Sequence, residues 1–164
     1  MKSDDAKVVL DPQQILDEVR VISGAAYAAF NQFDDNGRDF TTAAISGAPE
    51  HLERAAQMLG FDLVGRKWPY DPRRNVIINN NVVTIFGNLR QLTDKAISPS
   101  VILALEKLFH TGQVVVVKLL DEDRIMGDFT LIMKKGESFA NREKIEECAA
   151  RTGKLIRCAK KKQS

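Results

Sequence analysis

Few residues in this chain have types and spacings suited to chemistry, and the densest group lies in one stretch, FDLVGRKWPYDPRR, from Phe61 to Arg74. Its aromatic rings, two prolines and cluster of charges suit an ordered loop better than a regular helix or strand. Aromatic faces supply apolar walls for a small molecule, and a guanidinium beside them can meet an anionic group. Phe61, Trp68 and Tyr70 are therefore expected to border a cavity together with Phe86, with Arg73 or Arg74 facing an anionic end of the ligand. A second reading of the same residues is a loop that Trp68 pins to a sheet. Long loops in compact domains are usually functional or disordered, so both readings stand.

Elsewhere the chemistry-bearing residues thin out. Cys148 and Cys158 are ten residues apart in one helical segment, a rise of roughly 15 Å. A redox pair needs Cα atoms within about 7 Å, so both thiols are expected to be inert. They form no disulfide framework and no Cys-x-x-Cys pair, which points to a reducing, cytoplasmic setting. His51 falls in the first turn of a helix and His110 in the last turn of another, where a cation complements the macrodipole. The run Asp34 to Asp39 invites a calcium reading, but with Gly37 in sixth place the first and twelfth ligands would be Gln32 and Ala43. Calcium needs that distal carboxylate, and turn chemistry accounts for every residue. Ser46–Gly47, ahead of a helix, could hold an anion, although helix ends mostly satisfy their own caps. No triad, carboxylate pair or metal-ligand set is recognisable, so no catalytic residue, metal or cofactor is assigned.

The elements that must position these residues follow from periodicity. The unbroken β-branched run Val114 to Val117 reads as a strand covered on both faces. After the charged reversal Asp121 to Arg124, the return strand alternates. Gly127, Phe129, Leu131 and Met133 share one face, and Asp128, Thr130 and Lys134 share the other. This hairpin is the centre of the domain. Upstream, Asp11, Pro12 and Gln14 make a helix start, and Ile15, Val19 and Ile22 its apolar stripe, ended by Gly24. Ala26 to Phe33, an Asn36–Gly37 turn and Asp39 to Ile45 form a second hairpin. Helices are expected from Pro49 to Gly60 and from Pro99 to Gly112, with a short strand near Val82 to Phe86. Asn141 is placed to cap the last helix. Its residues Ile145, Cys148, Thr152, Leu155 and Ala159 repeat at three and four, so they form either a dimer seam or a face lying on the sheet.

The chain has 164 residues, 44% of them hydrophobic, and a formal charge of +2. That suffices for one core without staples, in a domain spanning residues 11–159 between a tail at 1–10 and a basic tail at 160–164. The charge is too small to argue for nucleic acid. No apolar run approaches the ~20 residues that span a bilayer, so no membrane contact is expected from this segment.

The order helix, hairpin, helix, loop, strand, helix, hairpin, helix resembles a GAF domain, of the kind attached to bacterial and archaeal sensor histidine kinases. The residues that carry the resemblance are Ala26–Phe33 with its Asp-Asn-Gly turn, GFDLVGRKW (Gly60–Trp68), and VVVVKLL followed by IMGDFTLIMKKG. The resemblance implies an α+β fold, with an antiparallel sheet carrying the N- and C-terminal helices on one face. The lid loop and middle helices would cover the other face and enclose any ligand. It further implies a sensory, non-enzymatic module that binds a small molecule or a partner and relays the change through its terminal helices. Such a module would work as a homodimer with an output domain in cis or in trans. The alternatives are a GAF-fold enzyme, such as a free methionine sulfoxide reductase, and a structural dimerisation module without ligand. The asparagine-lysine-phenylalanine-aspartate-glutamate signature of cyclic-nucleotide-binding members is not recognisable, and no cysteine lies near the expected pocket to attach a bilin.

Overall fold

The computed structural model describes residues 9–35, 38–69, 71–73, 81–93 and 96–161. Among them, helix α1 is Pro12–Ser23, followed by strands β1 Tyr27–Phe33 and β2 Phe40–Ser46, helix α2 Pro49–Leu59 and strands β3 Lys67–Trp68 and β4 Val83–Phe86. Helices α3 Leu89–Thr93 and α4 Pro99–Phe109 precede strands β5 Thr111–Asp121 and β6 Arg124–Lys134, and helix α5 Arg142–Lys161 closes the chain. The Asn36–Gly37 turn, Tyr70 and Arg74 lie outside the described residues.

The strands form one antiparallel sheet in the order β3-β2-β1-β6-β5-β4, so the β5–β6 hairpin is interior, as its apolar composition demands. The valine run divides between the two faces. Val115 and Val117 pack under α1 and α5 with Leu16, Phe129 and Ile145. Val114 and Val116 pack under α2, α3 and α4 with Ala55, Leu89 and Phe109. The fold is thus α+β, with terminal helices on one side of the sheet and middle helices on the other. Tyr27 anchors the second layer: its ring meets Phe109 at 4.3 Å, and its hydroxyl is hydrogen-bonded to His51 Nδ1 on α2.

Several local expectations are corrected. Helix α4 ends not at Gly112 but at His110, whose left-handed φ of 48° lets its amide reach back to the last turn. Gly112 lies in β5, where a Cβ would stand 2.8 Å from the Lys134 carbonyl oxygen. Asn141 does not cap α5 with its side chain, which instead donates to the Ile22 carbonyl at 2.9 Å and ties α5 to the end of α1. The reversal after β5, whose charges make it look too polar to be buried, is not wholly exposed: Asp121 is buried and meets Arg157 of α5 at 3.1 Å. Helix α5 continues through Lys160, which donates to the Phe33 carbonyl and pairs with Asp35 at 3.1 Å.

Candidate functional site

A cavity of about 560 Å³ opens between the sheet and the layer of middle helices. Its walls are apolar: Ala55 and Leu59 of α2, Leu89 and Leu92 of α3, Leu105 and Phe109 of α4. The segment after α2 supplies the remaining side through Leu63, Trp68 of β3, Asp71 and Arg73. This volume lies within the range of small-molecule sites, which pair apolar walls with a few polar groups.

The polar groups stand on the sheet. Trp68 Nε1 donates to Thr42 Oγ1 at 3.0 Å, and Thr42 Oγ1 donates to Asn31 Oδ1 at 2.8 Å. Asn31 Nδ2 then donates to Asp128 Oδ1 at 2.9 Å and to Thr130 Oγ1 at 3.3 Å. Thr130 Oγ1 in turn donates to Asp128 Oδ1 at 3.1 Å. Asn31, Thr42, Asp128 and Thr130 are all buried, and the chain of bonds crosses four strands from β3 to β6.

Thr42 reaches this face because of a bulge. Phe30 pairs with Ala44 and Asn31 with Thr42, which leaves Ala43 as the extra residue. In an unbroken strand Thr42 would share a face with Ala44, which packs under the terminal helices. The bulge instead turns Ala43 toward that core and Thr42 toward the cavity.

The residues expected at the site fall into three groups. Trp68 and Arg73 line the cavity, and Trp68 is the short strand β3 rather than part of a structureless loop. Phe61 meets Trp68 edge-on at 5.9 Å and carries the Arg66 guanidinium 4.1 Å above its ring, behind Trp68 and outside the lining. Phe86 is buried against α3 and α4 and does not line the cavity. The physical reason is topological: Trp68 and Phe86 occupy opposite edges of the sheet, five spacings or about 24 Å apart at ~4.8 Å per strand. Sequence reading missed Asn31 and Thr42 altogether. For Asp128 and Thr130 a signal was present, since alternation set them opposite Phe129 and Leu131.

The five residues of the expected seam are not equivalent. Ile145, Cys148 and Thr152 are buried against the chain's own sheet, whereas Leu155 and Ala159 are half-exposed. The buried stripe of α5 runs instead through Ala149, Gly153 and Ile156. Cys148 lies in the core on the far side of the sheet from the cavity, and Cys158 is exposed.

The other motifs are occupied by structural partners. The Ser46 hydroxyl donates to Asp17 and accepts from Arg20, so it holds α1 to β2 and is not open to an anion. Asp34 pairs with Lys67 at 3.0 Å, a hydrogen bond that raises the lysine above its ordinary range. No group of three His, Cys, Asp or Glu among the described residues could hold a metal ion. Burial pushes the Tyr27 hydroxyl up and the Lys118 amine down. Lys118 is buried opposite Asp128 in the register of β5 and β6. A second groove of about 600 Å³, beside the β5–β6 turn, is edged by charged side chains, among them Asp121, Glu122, Asp123, Arg124 and Arg157, together with Met126. No helix among the described residues is long and apolar enough to cross a membrane.

No protein-family model matches the sequence, and no curated protein sequence is similar to it. Solved structures do match. The GAF-B domain of DevS from Mycobacterium smegmatis aligns with a TM-score of 0.59 at 13% identity, covering 98% of each chain. A domain of a putative two-component sensor histidine kinase protein from Sinorhizobium meliloti 1021 aligns with a TM-score of 0.54 at 19% identity, covering 95% of this chain and 92% of that one. The chromophore-binding domain of the bacteriophytochrome RpBphP3 from R. palustris aligns with a TM-score of 0.51 at 14% identity over 88% of this chain. The present chain spans about half of that domain, 52%. Identities this low speak for architecture, and the six-stranded sheet between terminal and middle helices agrees with them: this chain has the fold of a GAF domain.

Proposed function

We propose that residues 11–159 form a sensory domain that binds a small molecule in the cavity under α2, α3 and α4. The observation that carries this reading is the cavity itself, about 560 Å³ with apolar walls and a built polar floor. An interior that existed only for stability would be packed to crystal-like density. Trp68 and Arg73 form its wall on the side of the segment after α2, and Tyr70 and Arg74 are neighbours in the sequence of that segment. Binding there is relayed across the sheet to α1 and α5, which carry the signal to an output domain in cis or in trans. The matched structures include a domain of a putative two-component sensor histidine kinase protein and a phytochrome photosensory core module, which supports this role. A homodimer through the outer faces of the terminal helices and a cytoplasmic location belong to the same proposal. Because the thiols lie away from the cavity, a thiol-based reductase is disfavoured.

Native mass spectrometry of the gently purified protein tests the reading. The expected result is a retained small molecule, lost when Ala29→Phe fills the floor of the cavity while the fold is kept. A protein with no retained mass, whose Trp68 fluorescence and melting temperature respond to no compound in a fragment library, would refute ligand sensing.

A further inference from the structure

The hydrogen-bonded floor constrains what the ligand must offer. Its direction is set at both ends by groups with a single role. An indole N–H can only donate, and the Asp128 carboxylate receives bonds from both Asn31 and Thr130. Between them every hydrogen is taken. The Trp68 N–H goes to Thr42, the Thr42 hydroxyl to Asn31, and the two Asn31 amide hydrogens to Asp128 and Thr130. The Thr130 hydroxyl goes to Asp128. What remains toward the cavity is one lone pair each on Thr42 Oγ1, Asn31 Oδ1 and Thr130 Oγ1. All three residues line the cavity.

From this the geometry points to a ligand class: a neutral, apolar ring compound that presents an O–H or N–H donor to the floor. The inference rests on the cavity being a ligand site and specifies its chemistry. A ligand whose only polar atom is an ether, carbonyl or halogen sets lone pair against lone pair here. It leaves the remaining lone pair of each buried oxygen without water or a donor, which disfavours it. An ammonium donor at the floor loses its hydration beneath leucine, alanine and phenylalanine, while the charged lining residues Asp71 and Arg73 stand on the side of the segment after α2. A neutral donor is therefore the better match for the floor. The bulge at Ala43 gains a function on this account, because it brings the Thr42 acceptor to the floor beside Asn31.

The test uses two probes of nearly the same shape, 2-naphthol and 2-fluoronaphthalene, titrated against the full chain with Trp68 fluorescence and calorimetry as readouts. The phenolic hydroxyl stays protonated at neutral pH, since such groups titrate near ~10. The expected result is that 2-naphthol binds about tenfold more tightly, the scale of one hydrogen bond. Thr42→Ser should keep that preference and Thr42→Val should reduce it. If both probes bind equally, the donor rule is overturned while the cavity stands as a ligand site. If neither binds, both the rule and the site are overturned. Tighter binding of 2-fluoronaphthalene would reverse the assignment of the floor, and the wild-type comparison decides the matter even if Thr42→Val fails to fold.

Discussion

Replacing Gly153 by alanine separates a terminal helix seated on its own sheet from one free to turn toward a partner. On an exposed helix the substitution is stabilising by about 1 kcal/mol, because glycine loses more backbone freedom on folding. At this position α5 lies on the backbone of β5. A Cβ would stand 2.2 Å from the Leu120 oxygen, 2.6 Å from its carbonyl carbon and 3.0 Å from its nitrogen. Carbon meets a carbonyl oxygen comfortably at about 3.3 Å or more, so the helix must lift by roughly 1 Å. The obstacle is main chain in an interior strand, which cannot swing aside as a long side chain would. Overpacking costs about 1–3 kcal/mol, and a backbone obstacle belongs at the upper end. Subtracting the helix-propensity gain leaves a net loss of about 2 kcal/mol, or roughly 4–8 °C in Tm for a chain of this size. Thermal and urea unfolding followed by circular dichroism measure it. A variant that melts at or above the wild type would refute the reasoning and return the α5 stripe to the role of an open seam.

Three further outcomes follow from the same contacts. Leu155 is half-exposed beside the buried stripe, so Leu155→Asp should weaken any dimer in light scattering while circular dichroism shows the fold kept; loss of the fold would place Leu155 in the internal packing instead. Replacing Cys148 and Cys158 by serine should leave ligand binding at the cavity unchanged, because the thiols lie elsewhere, and loss of binding would contradict that separation. Lys118→Met should raise Tm at neutral pH. Burial lowers the folded amine's pKa below the ordinary ~10.4, so the unfolded chain holds that proton more tightly and stability is reduced at every pH below the folded value. The penalty fades as pH rises from the folded value toward the ordinary one. The melting advantage of the methionine variant should therefore shrink at alkaline pH, and an advantage independent of pH would contradict the assignment.

Local chemistry was enough for the longer elements and their order, though not for the two-residue β3 or for α3. The Asp11 side chain accepts from the Gln14 amide, Gly24 and Gly60 end their helices in the left-handed conformation, and the valine run is the interior strand its composition required. Periodicity was also enough to sort Phe129 and Leu131 from Asp128 and Thr130, because a two-residue repeat is a property of the strand alone. The cavity floor was decided elsewhere. Phe40 to Ser46 reads FTTAAIS, which has no alternation to betray a bulge at Ala43, and a bulge is fixed by pairing with β1 and not by the bulged strand's own residues. Trp68 and Phe86 looked like neighbours around one pocket, yet strand order put them at opposite edges of the sheet. Spacing of three and four marked a stripe on α5, but which neighbour covers it depended on Gly153 letting the helix settle on Leu120. Local rules act over a few residues of chain, whereas register, strand order and helix seating are set by contacts between segments far apart in sequence, such as Asn31 with Asp128 and Phe33 with Lys160.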